Sequence, residues 1–150
     1  MNVSLKFQGG VSFEATTESG HSLVMDGAPS GGGNNLGARP MELLLSGLGG
    51  CTGYDVVTIL NKSRQEISHF DMNIEAERAD SDPKVFTKIR IIFKISGKNL
   101  NRKIIERAIH LSADKYCSAS IMLGKSAAIS HELILNDVQT CSTPLNSQKS

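Results

Sequence analysis

Three thiols, Cys51, Cys117 and Cys141, are the residues in this chain best suited to covalent chemistry. A cysteine attacks as its thiolate, so a reactive one needs a nearby cation or helix N-terminus to bring its pKa down from about 8.5. Two sulfurs within reach of each other can cycle between dithiol and disulfide. The odd count, the lack of a Cys-x-x-Cys motif and the lack of any His/Cys pair at zinc-finger spacing argue against a structural metal, and no cofactor-binding motif is present. On residue type alone, Cys51 and Cys117 read either as small buried hydrophobes or as a working pair. Cys141 falls in a polar stretch and is assigned no role. Asp55 lies four residues after Cys51, on the same helix face, where its charge would raise a thiol pKa; it reads as a buried, hydrogen-bonded acid. His21, His69, His110 and His131 are scattered. His110, seven residues before Cys117, is near its helix face but reads as a packing or surface residue.

The element that must carry Cys51 is the apolar stretch from Pro40 to Leu60. Proline suits a first helical position and the Glu42 charge suits the helix N-terminus, so the pattern predicts a helix starting at residue 40. Between Leu43 and Leu60 only Asp55 is charged. Such a helix is expected to be buried around most of its circumference. A membrane span is rejected because the segment holds an acid, four glycines and several hydroxyls. Glycines 47, 49, 50 and 53 cost up to about 1 kcal/mol each in helix propensity, which close approach of another backbone would offset. Tyr54 and Tyr116 read as packing residues with a polar tip.

Strand patterns surround this helix. Val3, Leu5 and Phe7, a Gly9-Gly10 break, then Val11, Phe13 and Ala15 predict a hairpin, with Ser22 to Met25 as a third strand. Residues 26 to 38 are rich in Gly, Ser and Asn and read as a flexible loop; a phosphate cradle is disfavoured because no Gly-Lys-Ser/Thr closes it. Phe70, Met72, Ile74 and Ala76 alternate with polar residues. After a turn at residues 80 to 83, a long strand runs from Lys84 to Ser96. Val85, Ile89, Ile91, Phe93 and Ile95 form its inner side, and Phe86, Lys88, Arg90, Ile92 and Lys94 a mostly solvated one. Asn99 or Asn101 can cap a second helix running toward Cys117. A short helix from Ser118 to Leu123 and a strand from Ile129 to Leu135 follow. The result is an α+β protein with residues 1–136 as a single domain and residues 137–150 as a polar tail expected to be without fixed structure.

The 150 residues carry a net charge of +1 with both signs interspersed, so neither nucleic acid nor a membrane is expected as partner. No basic segment followed by an apolar one opens the chain, and a cytoplasmic location is expected.

A proline-led apolar helix containing Leu48-Gly49-Gly50-Cys51-Thr52, followed by a helix ending in Lys115-Tyr116-Cys117-Ser118, resembles the OsmC/Ohr family of osmotically induced and organic-hydroperoxide-resistance proteins, in its OsmC-like branch. The resemblance implies the OsmC-like fold, in which antiparallel sheets wrap around a long central helix, and an intertwined, stress-related homodimer with two sites at its interface. It implies a thiol-dependent peroxidase that reduces small organic hydroperoxides. Cys51 would be the nucleophile, Cys117 the resolving thiol, and a dithiol of the lipoyl type or another thiol the reductant. Leu44, Leu45 and Leu48 would offer an apolar wall to alkyl peroxides. Relatives carry a glutamate directly after the proline, orienting a catalytic arginine; here Met41 stands there, so Arg39 and Glu42 are the nearest candidates for those roles. Glu42 also reads as a simple helix cap. The alternative is a non-peroxidase dimer of the same fold, binding a small apolar or sulfur-containing ligand in the interface groove.

Overall fold

The structure, a computed structural model, describes residues 1–135 and 145–146. Of the expected tail, residues 137–144, with Cys141, and 147–150 lie outside the described residues, whereas Leu145 and Asn146 form a short strand paired with His131 and Ser130. The chain divides into two compact units, residues 1–46 and 47–150, with the division inside the long helix.

The first unit is a three-stranded antiparallel sheet, β1 (Val3–Gly9), β2 (Ser12–Thr17) and β3 (Ser22–Met25), in that order. Gly9 and Gly10, both at positive φ, make the first turn as their missing Cβ allows. Phe7 and Phe13 stand opposite each other with ring centroids 5.6 Å apart. Val3, Leu5 and Phe7 nonetheless keep half or more of their surface exposed.

The loop after β3 is not the flexible segment its composition suggests. The buried Asp26 carboxylate accepts N–H groups from Gly27 (2.7 Å), Asn34 (2.9 Å) and Leu36 (3.0 Å). The Leu36 and Asn34 amides, more than Arg39, hold its pKa below the usual carboxylate value. These amides are therefore spent on the chain's own carboxylate rather than on a phosphate.

Helix α1 (Pro40–Lys62) begins at the predicted proline. Its start is a capping box in half: Glu42 Oε2 accepts the Arg39 backbone N–H at 2.9 Å, the reach-back from the third helical position.

The second unit is built on a mixed sheet of β4 (Glu66–Arg78), β5 (Phe86–Lys98), β6 (Ala128–Leu135) and β7 (Leu145–Asn146), in sequence order. β4 and β5 pair antiparallel, but β5 and β6 are parallel. This corrects the expectation of antiparallel sheets throughout. Three helical segments intervene between β5 and β6: α2 (Arg102–Leu111), a π-helical turn (Ser112–Tyr116) and α3 (Ser118–Leu123). A crossover of that length can return the chain to the same end of the sheet, as parallel pairing requires.

The core of this unit gathers Leu48, Val56 and Leu60 of α1, Ile89, Ile91, Phe93 and Ile95 of β5, and Ile105, Ala108 and Ile109 of α2. Phe86 and Ile92 are buried as well, contrary to the expected solvated face, while Val85 is exposed. A register shift between Glu77 and Arg78 sets Phe86 opposite Arg78, and Ile92 lies on the central strand between Asn73 and Glu132. The rest of that face is wet and paired: Lys88 with Glu77, and Arg90 with both Glu75 and Glu132.

Two expectations for α1 fail within the chain. Only six of its 23 residues are buried, and Tyr54 is 75% exposed. The buried set, Leu48, Gly49, Thr52, Gly53, Val56 and Leu60, forms one stripe; Tyr54 lies off it and Tyr116 is also exposed, so neither tyrosine is a packing residue here. Leu48 is fully buried, so it cannot line an open wall. Nor do all four glycines serve a backbone contact. A Cβ on Gly49 would meet Ile74 Cδ1 at 2.7 Å and one on Gly53 would meet Met72 Cε at 2.8 Å, so these two seat β4 side chains. Gly47 and Gly50 face open space.

Candidate functional site

The rotation of α1 is set by residues 48, 52, 56 and 60, each four apart and each buried. Cys51 and Asp55, also four apart, therefore sit together beside that stripe, half-buried. Asn101 begins the opposing arm. Its side chain accepts the backbone N–H groups of Lys103 and Ile104, capping α2 as the sequence predicts. The amphipathic face of α2, Ile105, Ala108, Ile109 and then Ser112, is buried. The helix then widens into the π turn, closed where the Cys117 N–H donates to the Ser112 carbonyl at 2.8 Å. Cys117 is extended (φ −73°, ψ 101°) and caps α3, its sulfur accepting the Ser120 N–H at 3.4 Å.

These arms bring Cys51 Sγ, Cys117 Sγ and a carboxylate oxygen of Asp55 within 4.8 Å of one another. Both cysteines are free thiols. Cys117 is fully buried. Thr52 Oγ1 shares a hydrogen bond with the Cys117 sulfur at 3.4 Å and another with Ser120 Oγ at 3.5 Å. Ser112 Oγ donates to Asp55 Oδ2 at 3.2 Å. Asp55 is thus hydrogen-bonded as expected, but it is half-buried and not buried.

The two thiols lean in opposite directions. Burial alone would push Cys117 up, but the hydroxyls of Ser120 and Thr52, the Cys51 thiol and the Ser120 amide together bring it below its ordinary value. Cys51 is pushed up, first by burial and then by Cys117 and the Asp55 charge, against the opposing Ala119 amide. Among the described residues, the causes acting on the two sulfurs are burial, amides, hydroxyls, the other thiol and, for Cys51, the Asp55 charge.

Arg39 and Glu42 are brought to each other, in the first unit. Arg39 Nη1 is 3.9 Å from Glu42 Oε1, and Nη2 donates to Asn35 Oδ1 at 3.3 Å. The hydroxyls of Thr52, Ser112 and Ser120 went unread in the sequence. A signal for one existed: Cys117 stands three residues before Ser120 at the head of a short helix, the spacing of an N-cap side chain and the amide it accepts.

His131, on β6, is buried, and its Nε2 has no hydrogen-bond partner among the described residues. Its pKa falls to about 4, chiefly from burial and then from the charge of His110, with Asp114 opposing. A surface concavity of about 550 Å³ is bordered by Glu75, Glu77, Lys88 and Arg90, and neither cysteine lines it.

The pattern of the family described as OsmC-like protein matches residues 31–132. Protein YhfA of Escherichia coli K12 is 37% identical over 131 residues, which span 87% of this chain and 95% of that protein. Among solved structures, a hypothetical protein from Aquifex aeolicus VF5 is 33% identical with a TM-score of 0.76, covering 89% of this chain and 96% of that one. An organic hydroperoxide resistance protein OsmC from Legionella pneumophila has the same fold, with a TM-score of 0.65 at 16% identity over 89% of this chain and 96% of its own.

Proposed function

The chain belongs to the OsmC-like protein family, and on that premise we propose that it is a thiol-dependent peroxidase that reduces organic hydroperoxides through Cys51 and Cys117. The observation that carries this reading is the approach of the two sulfurs to within 4.8 Å from positions far apart in the chain. Their unequal burial supports the division of labour: half-buried Cys51 is the more open of the two to a peroxide, and fully buried Cys117 is placed to meet the Cys51 sulfur.

Cys51, held toward its thiol form, must first give up its proton to solvent. The Cys51 thiolate attacks one peroxide oxygen, the O–O bond breaks, and the departing alkoxide takes a proton from solvent to leave as an alcohol. Cys51 is now a sulfenic acid. The Cys117 thiolate attacks its sulfur, expelling hydroxide, which leaves as water once protonated; the product is a Cys51–Cys117 disulfide. An external dithiol of the lipoyl type, or another thiol, returns the pair to its reduced form by exchange.

The protein works as a soluble cytoplasmic homodimer. By length and composition α1 is long enough to cross a membrane, with 33% of its apolar window buried inside the chain. A second copy would cover what one chain leaves exposed: Val3, Leu5 and Phe7 on β1, and Leu44 and Tyr54 on α1. Arg39 and Glu42 hold the helix start.

The test is consumption of cumene hydroperoxide by reduced protein with dihydrolipoate as reductant. Rapid turnover, lost in Cys51→Ser, with the Cys51–Cys117 disulfide found by mass spectrometry under non-reducing conditions, is the expected result. Consumption no faster than that of a free thiol sinks the peroxidase. It would leave the binding of a small apolar or sulfur-containing ligand, which Met41 in place of a glutamate directly after Pro40 favours.

A further inference from the structure

We propose that Cys51, Asp55 and Cys117 form a binding site for a single thiophilic divalent cation of the zinc class, with a fourth coordination position left open. The spacing that announces zinc in a sequence is absent, because the ligands come from two separate elements. Cys51 and Asp55 are four apart on one face of α1, the spacing at which a helix presents two ligands side by side. Cys117 arrives at the junction of the π turn and α3.

All three donor atoms lie within 4.8 Å of one another. Tetrahedral zinc holds sulfur at about 2.3 Å and carboxylate oxygen at about 2.0–2.2 Å, which sets two sulfurs about 3.8 Å apart. Closure therefore requires at most about 1 Å of movement between the sulfurs, which side-chain rotation can supply. Two thiolates beside one carboxylate are a soft donor set, suited to zinc and not to magnesium or calcium. Three protein ligands with one position open match the pattern of accessible zinc sites rather than closed structural ones.

The surroundings are those of oriented ligands. Ser112 Oγ donates to Asp55 Oδ2 at 3.2 Å, while the Ser120 N–H donates to the Cys117 sulfur and the Thr52 hydroxyl hydrogen-bonds it, both at 3.4 Å. Three groups able to carry negative charge are gathered within 4.8 Å of one another, so part of the cost of ionising them together is relieved when a divalent ion enters. The balance is simple: two thiols and M²⁺ give a dithiolate–metal unit and two protons, with no change of oxidation state. The ion and the disulfide need the same two sulfurs, so each excludes the other. Zinc would keep the pair reduced and capped.

The proposal stands apart from the peroxidase reading and is tested without peroxide. Reduced, chelator-treated full-length protein is titrated anaerobically with Co²⁺ and then Zn²⁺. One equivalent of cobalt should bind with a thiolate-to-cobalt charge-transfer band and proton release, and zinc should displace it. Asp55→Asn should keep the band but weaken zinc binding about tenfold or more against an indicator dye. Cys51→Ser and Cys117→Ser should each weaken binding further, and Cys141→Ser should not affect it. Wild-type protein oxidised with diamide to the Cys51–Cys117 disulfide should not bind, a control that needs no substitution. Absence of the band, equal affinity in Asp55→Asn, or loss of binding in Cys141→Ser overturns the site. Cobalt uptake without peroxide turnover would sink the peroxidase and leave the metal site standing; turnover without uptake would do the reverse.

Discussion

Cys117 and His131 are both buried ionisable side chains of the second unit, and their surroundings treat charge in opposite ways. Around the Cys117 sulfur stand the Thr52 hydroxyl, the Ser120 hydroxyl and the Ser120 amide, and the thiol moves toward its charged form despite burial. Around His131 stand Phe93, with ring centroids 6.2 Å apart, and an Nε2 with no partner among the described residues; the imidazole is driven away from its charged form. Burial by itself does not decide whether a group ionises. The number of donors or acceptors aimed at the charged form does.

The largest effect that would break this comparison belongs to His131. Its folded pKa of about 4 lies below the ordinary 6.5, so between those values the unfolded chain binds the extra proton. The stability this side chain contributes is present above pH 6.5 and is lost as pH falls toward 4. About 2 kcal/mol should go between pH 7.5 and 5, and on the order of 3 kcal/mol by pH 4. Urea unfolding of the wild type and of His131→Leu at the two pH values measures it. The variant should lose about 2 kcal/mol less on acidification. Parallel losses would mean that His131 finds a partner for its proton.

What separates these two sites in the structure was only partly visible beforehand. Local rules carried well: Pro40 and Glu42 opened α1, Asn101 capped α2, and the Gly9-Gly10 break turned the first hairpin, because each depends on residues within a turn of one another. The pairing of Cys51 with Cys117 came through the family resemblance, not through their spacing. Tertiary neighbours did not carry. Thr52 reads in sequence as one more helix residue, and only the packing of α1 against α3 turns its hydroxyl toward a sulfur. The parallel β5–β6 pair, the Phe86 register shift and the three amides on Asp26 are likewise set by segments brought together in the fold. His131 sits at an alternating position of a strand whose neighbours are apolar, and nothing in the residue types says that one ring nitrogen goes unpaired.

The next effect in size sharpens the Cys117 side. Thr52→Val keeps the shape of a β-branched side chain and removes the hydroxyl that hydrogen-bonds the sulfur. It should cost the thiolate about 1 kcal/mol. Thiolate ultraviolet absorbance followed against pH, in a background with Cys51 and Cys141 changed to serine, should show the Cys117 midpoint moving up in Thr52→Val. Ser120→Ala should move it in the same direction. An unmoved midpoint in both would mean that the hydroxyls pack against the sulfur without donating to it.

The smallest effect concerns Asp55, and it distinguishes charge from ligation at one residue. Asp55 is the last of the causes that hold Cys51 in its thiol form, behind burial and the influence of Cys117. Removing its charge in Asp55→Asn should favour the Cys51 thiolate only slightly. Alkylation of Cys51 by iodoacetamide near neutral pH, followed by peptide mass spectrometry, should speed up about twofold. The same substitution should weaken zinc uptake, because an amide is a poorer ligand than a carboxylate. One residue would then make the free thiol less reactive and the bound ion more secure. A thiol reactivity and a metal affinity that both fall in Asp55→Asn would point instead to a displaced Cys51, and the acid would be acting through the Ser112 hydrogen bond that fixes α1 against the π turn.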